Sequence, residues 1–142
     1  MINQLTIFLQ NEPGRLAAAC RAVSKTGANM HALSLSDTAD FGVLRIICDK
    51  PQATADALTA EGWRAAVTPV LAVHVPNEPG GLVKLLEAIE AAGSNVEYGY
   101  CFSVNDADAI DVLKAADAPG LEETLAAAGF APVKAEDVYT VD

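Results

Sequence analysis

The chain has 142 residues, of which 51% are hydrophobic and 20% charged, a composition typical of a folded globular protein. Its formal net charge is −10. Residues 1–66 hold six basic and six acidic side chains, whereas residues 67–142 hold three and thirteen. Without clustered Lys and Arg, neither nucleic acid nor an anionic membrane is a predicted partner. No apolar run is long enough to span a membrane and no signal-peptide pattern opens the chain, so we expect a cytoplasmic protein.

The first half of the chain predicts the element order β-α-β-β-α-β. Apolar residues alternate at Leu5, Ile7 and Leu9, as in a half-buried strand. A helix is predicted over residues 13–26, with an apolar face made of Leu16, Cys20 and Val23. Strands at 29–36 and 41–48, a helix at 51–61 and a strand at 64–68 complete the prediction.

The second half predicts the same order again. A strand carries Leu71, Val73 and Val75, and the helix that follows Pro79 has an apolar face. That face consists of Leu82, Leu85, Leu86 and Ile89. Strands at 96–103 and 109–114, a helix at 119–129 and a strand at 138–141 follow. In the repeat alignment the last strand corresponds to residues 70–73. Either the first repeat ends in a very short strand, or one long strand serves both repeats.

A six-residue motif occurs twice and identifies the two halves as copies. Asn11-Glu12-Pro13-Gly14-Arg15-Leu16 returns 66 residues later as Asn77-Glu78-Pro79-Gly80-Gly81-Leu82. The same offset relates Gly27-Ala28-Asn29-Met30 to Gly93-Ser94-Asn95-Val96. A period of this length suits a small domain, because solenoid repeats are shorter. We therefore predict an α+β protein with two ferredoxin-like βαββαβ units, residues 1–69 and 70–142, each an antiparallel sheet with helices on one face.

The repeated motif has the chemistry of an anion site. Proline fixes φ and has no N–H, so it fits the start of a helix, where that donor has no partner. The glycine after it allows close approach of a ligand. The exposed N–H groups of a helix N-terminus suit a carboxylate or a phosphate. A plain Pro-Gly turn is the alternative, which the duplication of Asn and Leu makes less favourable.

A strand followed by Asn-Glu-Pro-Gly-x-Leu, and then by a helix that ends in Gly-x-Asn-apolar, resembles the ACT domain. The resemblance covers essentially all 142 residues, as a tandem of two ACT domains with no enzyme domain attached. It implies a regulatory module that binds a small ligand, commonly an amino acid, at the interface between two copies. Such binding would couple amino-acid level to assembly or to the activity of a partner.

The resemblance also implies where the ligand site lies. In the family, the loop after the first strand and the start of the second strand in the facing copy commonly line it. Backbone N–H groups after the glycine would hold the carboxylate, and Asn carboxamides could both donate and accept. For Asn29 and Asn95 a simple role as turn residues after the helix stays open. The candidate residues are Asn11, Gly14, Arg15, Leu16, Asn29, Met30 and His31 in the first repeat, and Asn77, Gly80, Gly81, Leu82, Asn95, Val96 and Glu97 in the second.

The two copies differ in the residues that could contact a ligand. Arg15 aligns with Gly81, and His31 aligns with Glu97. A guanidinium beside a helix N-terminus adds to its positive end, so we expect the first loop to bind a carboxylate more tightly. Alternation places three aromatic side chains on one face of the second strand of repeat two, where they fit an interface better than ligand stacking. They are Tyr98, Tyr100 and Phe102.

The sequence predicts no catalysis, no metal site and no cofactor. Cys20, Cys48 and Cys101 are odd in number and far apart, which indicates reduced core thiols. Neither histidine has ligands at metal spacing, and no nucleophile elbow, dinucleotide fingerprint or Walker loop is present. Three aspartates near residue 108 lack the glycine and glutamate of a calcium loop and indicate a solvated hairpin tip. They are Asp106, Asp108 and Asp111.

Two classes of function remain. The first is a free-standing amino-acid sensor, and the second is a protein–protein interaction module whose ligand sites are degenerate. Small cores and apolar side chains on the sheet faces predict that two chains associate as a homodimer.

Overall fold

A computed structural model describes residues 1–38 and 40–142 of the chain. It confirms the predicted α+β class, with two βαββαβ-like arrangements in tandem. The elements are β1 (Ile2–Gln10), α1 (Arg15–Lys25), β2 (Met30–Asp37), β3 (Phe41–Cys48), α2 (Pro51–Ala60), β4 (Arg64–Pro76), α3 (Gly81–Ala91), β5 (Val96–Phe102), β6 (Asp108–Ala115), α4 (Ala118–Ala127) and a 3₁₀ helix at Ala135–Asp137.

The chain forms two compact units. The N-terminal unit comprises Asn3–Thr68 together with Ala135–Asp142, and the C-terminal unit comprises Met1–Ile2 together with Pro69–Lys134. Each unit has a hydrophobic core of its own. The repeat boundary between residues 69 and 70 stays a prediction.

In the N-terminal unit the strand order is β2-β3-β1-β4, with only the first half of β4 belonging to this unit. Leu5 of β1 lies opposite Ile46 of β3, and every second residue from there faces the core. Val23 of α1 and Leu58 of α2 pack against these side chains from one face of the sheet. The period-2 strand pattern and the period-3.6 helix pattern thus meet in one core, as the sequence predicts.

The C-terminal unit repeats this arrangement with the second half of β4, β6 and β5. Leu71 lies opposite Leu113, and both belong to a core that Leu85 of α3 and Leu125 of α4 cover. Both helices pack on the same face of the strands.

The prediction that Leu16, Leu82 and Leu86 lie on the buried faces of their helices is wrong. Leu16, Leu82 and Leu86 are 36%, 52% and 43% exposed. In α3 the buried stripe includes Leu85 and Ile89. Leu82 and Leu86 each lie one residue along from that stripe and therefore about 100° around the helix. Leu16 stands in the first turn of α1, before the buried part of the helix, which consists of Ala19, Ala22 and Val23.

One strand, β4, runs without interruption from Arg64 to Pro76. Of the two alternatives that the sequence left open, one long strand that serves both repeats is therefore the correct one.

The predicted strand at 138–141 is wrong. Instead, Pro132 forms an isolated antiparallel bridge with Val73. Proline cannot donate a ladder hydrogen bond. The segment that follows hydrogen-bonds within the N-terminal unit.

That segment, Ala135–Asp142, is named here the C-terminal segment. The N–H of Lys50 donates to the carbonyl of Thr140 at 2.6 Å. The Asp142 carboxylate accepts from the first N–H groups of α2, those of Gln52 and Ala53, at 2.9 and 2.8 Å. Lys50, at the start of this helix, provides no side-chain cap. A carboxylate about 90 residues away in sequence therefore serves as the cap and complements the helix dipole.

Asp49 holds together three parts of the N-terminal unit. Its carboxylate accepts hydrogen bonds from His31 Nε2 at 2.9 Å, from the N–H of Asn29 at 3.2 Å and from the N–H of Thr140 at 2.8 Å. The bond from His31 contributes most, followed by that from Thr140, and together they lower the pKa of Asp49 to about 2. The start of β2 and the C-terminal segment therefore both depend on an ionised Asp49.

Replacing this carboxylate should destabilise the protein in a pH-dependent way. We expect Asp49→Asn to lower the free energy of unfolding at pH 7 by about 1.5 kcal/mol, the lower end of the range for a hydrogen bond to a charged group. The pKa of folded Asp49 is below the usual value near 4. Its contribution is therefore present above about pH 4 and is lost as the pH falls towards 2. Urea titrations between pH 7 and pH 2 measure the difference. The control is Asp37→Asn, at the exposed end of β2, and equal effects would contradict the assignment.

Candidate functional site

Both copies of the repeated motif form the same turn. The N–H of Arg15 donates to the carbonyl of Glu12 at 3.3 Å, and the N–H of Gly81 donates to that of Glu78 at 3.0 Å. The intervening Gly14 and Gly80 both have φ of +84°. A proline followed by a residue with positive φ inside such a hydrogen bond is a type II turn, which requires glycine at that position. The N–H directly after each glycine is thus already used by the turn.

The next donors of each helix start remain available. The N–H of Ala18 bonds the carbonyl of Gly14, which begins the regular pattern of α1. In the described part of the chain, no backbone acceptor pairs with the N–H groups of Leu16 and Ala17. The start of α3 is equivalent, with Lys84 bonded to Gly80. Unpaired N–H groups of this kind attract anions.

Arg15 is held in place by stacking. Its guanidinium carbon lies 5.0 Å from the centre of the Trp63 ring, within the range of a cation–π contact. Its Nε is buried, and none of the described residues accepts a hydrogen bond from it. Stacking engages the face of the guanidinium and leaves its N–H edge directed at other acceptors.

A second stacked arginine lies at the same cavity. The guanidinium carbon of Arg64 is 5.5 Å from the centre of the Phe8 ring. Arg15, Arg64 and both rings line a cavity of about 460 Å³ at the end of β1 and the start of β4, named here the arginine cavity. Phe41 and Glu61 also line it.

The arginine cavity is complementary to a small zwitterion. Its size falls within the range of ligand pockets, and it combines aromatic walls with a few convergent charges. Two guanidinium groups can bind carboxylate, and the Glu61 carboxylate can accept from an ammonium group. Sequence reasoning found only Arg15 among these residues. The available signal was the single Trp of the chain, which stands beside an arginine at the start of a predicted strand.

The two predicted parts of the site are not brought together within either unit. In the N-terminal unit Gln10 pairs with Phe41, whereas Met30 pairs with Cys48. These partners are the opposite ends of β3, which are roughly 23 Å apart at 3.3 Å per residue. The loop that carries Arg15 is therefore distant from the start of β2. The C-terminal unit has the same arrangement along β6.

Several predicted site residues have contacts within the protein. The Asn77 side chain donates to the carbonyl of Asn105 and thereby holds the loop between β5 and β6. Asn29 and His31 bind Asp49. Asn11 is exposed, and its N–H donates to the carbonyl of Asp40 at 3.4 Å. Of the remaining predicted residues, Met30 and Val96 pack against the cores of their units, and Asn95 and Glu97 are exposed.

The aligned position of Arg15 cannot carry a side chain. A Cβ on Gly81 would lie 2.2 Å from the carbonyl oxygen of Pro76, much closer than two such atoms can approach. Repeat alignment also places Ala131 opposite Arg64. The C-terminal unit therefore has neither guanidinium at the positions that correspond to the arginine cavity.

Two smaller expectations need correction. Asp111 is not at a solvated tip: it is 9% exposed, because it lies opposite Val73 on the face that carries the core, and burial raises its pKa. Of the three thiols only Cys48 is fully buried, and burial raises its pKa to about 12, whereas Cys101 is exposed. The described residues contain no group of three side chains that could hold a metal ion.

The sequence and the fold are similar to those of known proteins. The chain matches the family model of an ACT domain pair over residues 1–140. The structure of protein BT0572 from Bacteroides thetaiotaomicron matches with a TM-score of 0.89 and 33% identity, over 96% of this chain and 94% of that one. The regulatory subunit of aspartate kinase from Thermus thermophilus matches with a TM-score of 0.64 and 18% identity, over 89% and 91%. None of the curated proteins compared with the chain matches it.

Within the described residues, no helix combines the length and apolar character needed to cross a membrane.

The steric difference between the two repeats can be tested by introducing alanine at the two aligned positions. We expect Gly81→Ala to lower the free energy of unfolding by roughly 1–3 kcal/mol, because its Cβ forces the backbone apart. The matched variant Arg15→Ala, at the aligned position, should change it by at most about 1 kcal/mol, the scale of a cation–π contact. Urea denaturation measures both values. Equal effects would show that α3 shifts to accommodate the side chain.

Proposed function

The chain belongs to the ACT domain family, and from that premise we propose that it is a regulatory protein that binds a free amino acid. The arginine cavity of the N-terminal unit receives the ligand. The observation that carries this proposal is Arg15, whose guanidinium is stacked on Trp63 at the N-terminus of α1 while its buried Nε has no partner among the described residues.

The carboxylate of the ligand meets a charged donor at this helix start, because the Arg15 guanidinium lines the cavity. Hydrogen bonds of this charged type are shorter and stronger than neutral ones. The helix dipole further favours a negative group at this end. Stacking on Trp63 reduces the entropy that Arg15 loses on binding.

The ammonium and the side chain of the ligand have complementary surroundings in the same cavity. Glu61 is the carboxylate that lines it and accepts from the ammonium group. Phe8, Phe41 and Trp63 provide apolar surface. A volume of about 460 Å³ holds an amino acid together with some water.

The proposed role is regulatory and not catalytic. Among the described residues that line the cavity there is no serine, cysteine or histidine, so it lacks a paired nucleophile and base. Regulatory subunits of aspartate kinase have the same fold. Binding would accordingly alter either the assembly of this chain or the activity of a partner enzyme. We propose a homodimer as the assembled state, since Leu33 and Leu35 on the outer strand β2 are each 48% exposed.

The alternative function is an interaction module without a ligand. One observation favours it: Leu82, Val83 and Leu86 of α3 are each at least 43% exposed. Exposed apolar side chains on one helix are typical of a protein-binding surface. This alternative requires no role for the arginine cavity.

Titration calorimetry with the free amino acids tests the proposal. We expect one amino acid to bind with a stoichiometry near one per chain, because only the N-terminal unit has the two arginines. Arg15→Ala should weaken its binding by roughly 1–2 kcal/mol, as for a hydrogen bond to a charged group. Arg21→Ala, on the same helix and exposed, serves as the control. No binding by any amino acid would favour the interaction module, and binding that is unaffected by Arg15→Ala would place the ligand elsewhere.

Light scattering tests the proposed assembly. At micromolar concentration we expect a mass of two chains, because an exposed outer strand with apolar side chains favours association. Leu33→Lys combined with Leu35→Lys should shift the population towards single chains. A wild-type mass of one chain would contradict the dimer.

A further inference from the structure

We propose that the arginine cavity selects an amino acid with a second carboxylate, such as glutamate or aspartate. This inference rests on the proposed function, because it concerns which amino acid the cavity binds. It follows from the number of charged groups at the cavity and from their placement on two faces of the sheet.

The cavity has one guanidinium more than a neutral amino acid requires. Arg15 matches the α-carboxylate and Glu61 matches the ammonium group, as argued above. Arg64 remains as a second cation on the same cavity. Stacking on Phe8 fixes the face of this guanidinium and leaves its edge free for a bidentate contact with a planar anion. A carboxylate on the ligand side chain supplies that anion.

The two arginines approach the cavity from opposite faces of the sheet. Trp63, beneath Arg15, packs against the hydrophobic core on the face that the helices cover. Phe8 alternates with Ile7 and Leu9, which belong to that core, so its ring lies on the other face together with Arg64. The cavity joins both faces at the end of β1. A ligand with two carboxylates separated by a short carbon chain can present one of them to each guanidinium.

The N-terminal unit is less negative than the C-terminal unit. Asn3–Thr68 carries six basic and six acidic side chains, and the C-terminal segment adds Glu136, Asp137 and Asp142, so the unit has a net charge of −3. The other −7 belongs to the C-terminal unit. Every residue that lines the cavity comes from Asn3–Thr68, whose charges balance, so the two arginines there can attract an anion.

Acidic amino acids and their amides form a matched pair of probes, because they have nearly the same shape and differ in one charge. With the wild-type protein, calorimetry should show L-glutamate bound about tenfold or more tightly than L-glutamine, or L-aspartate likewise compared with L-asparagine, as expected for one charged hydrogen-bonded contact.

Two variants then separate the roles of the arginines. Arg64→Met should reduce the affinity for the acid much more than that for the amide, so that the ratio of the two affinities approaches one. Arg15→Met should weaken both ligands. Arg21→Met is the control for loss of a positive charge, since Arg21 is exposed and does not line the cavity. Circular dichroism melting of each variant confirms that it is folded.

The outcomes distinguish this inference from the proposed function. If glutamine and asparagine bind as tightly as glutamate and aspartate, or if a neutral amino acid binds best, the inference is wrong while the proposed function stands. If acid selectivity survives Arg64→Met, the second carboxylate is bound elsewhere and the inference is also wrong. If no amino acid binds at all, both are overturned. The comparison of acid with amide needs only the wild-type protein, so it is decisive even if a variant fails to fold.

Discussion

The structure depends on one backbone constraint that the chain uses twice. In each repeat a strand must reverse into a helix within a few residues, and a type II turn with glycine at φ +84° makes the reversal. An L-residue with a side chain would be strained in this conformation. The turn determines where the helix begins, and hence which N–H groups remain unpaired and where the residue after the glycine lies. Because of it, Arg15 reaches Trp63 and the arginine cavity.

The same constraint produces different sites in the two repeats. After the turn of the C-terminal unit the helix start lies so close to the end of β4 that the carbonyl of Pro76 occupies the space of a Cβ. Gly81 is required there for steric reasons, so packing excludes an arginine from this position. The repeats therefore share a fold and a turn, while only one of them can place a guanidinium beside its helix N-terminus. The two repeats thus have the same backbone scaffold but different side chains at the helix N-terminus.

The C-terminal segment deviates from the repeat pattern and still forms specific polar contacts. Residues 138–141 have the β-branched and aromatic character of a strand, yet they form none. Their partners are single groups of the N-terminal unit, namely the Asp49 carboxylate, the N–H of Lys50 and the start of α2. The segment provides the cap that the N-terminus of α2 lacks. It also provides one of the donors that lower the pKa of Asp49. The strand propensity of this segment is therefore overridden by its contacts with Asp49, Lys50 and the start of α2.

The sequence by itself determined the duplicated architecture. The Asn-Glu-Pro-Gly motif, the period-2 alternation at Leu5, Ile7 and Leu9 and the spacing of Leu85 and Ile89 are local patterns. They can be recognised because a type II turn needs glycine and because strands and helices have fixed periods. Only tertiary structure decided which residues share a cavity and which apolar side chains remain exposed. Phe8 and Trp63 are 55 residues apart and line the same cavity because β1 and β4 are neighbours in the sheet. Leu16 has the same pattern as a core residue, but it lies in the first turn of α1, where the structure leaves it exposed. Such outcomes depend on the packing of elements that are distant in sequence, and no local pattern encodes that packing.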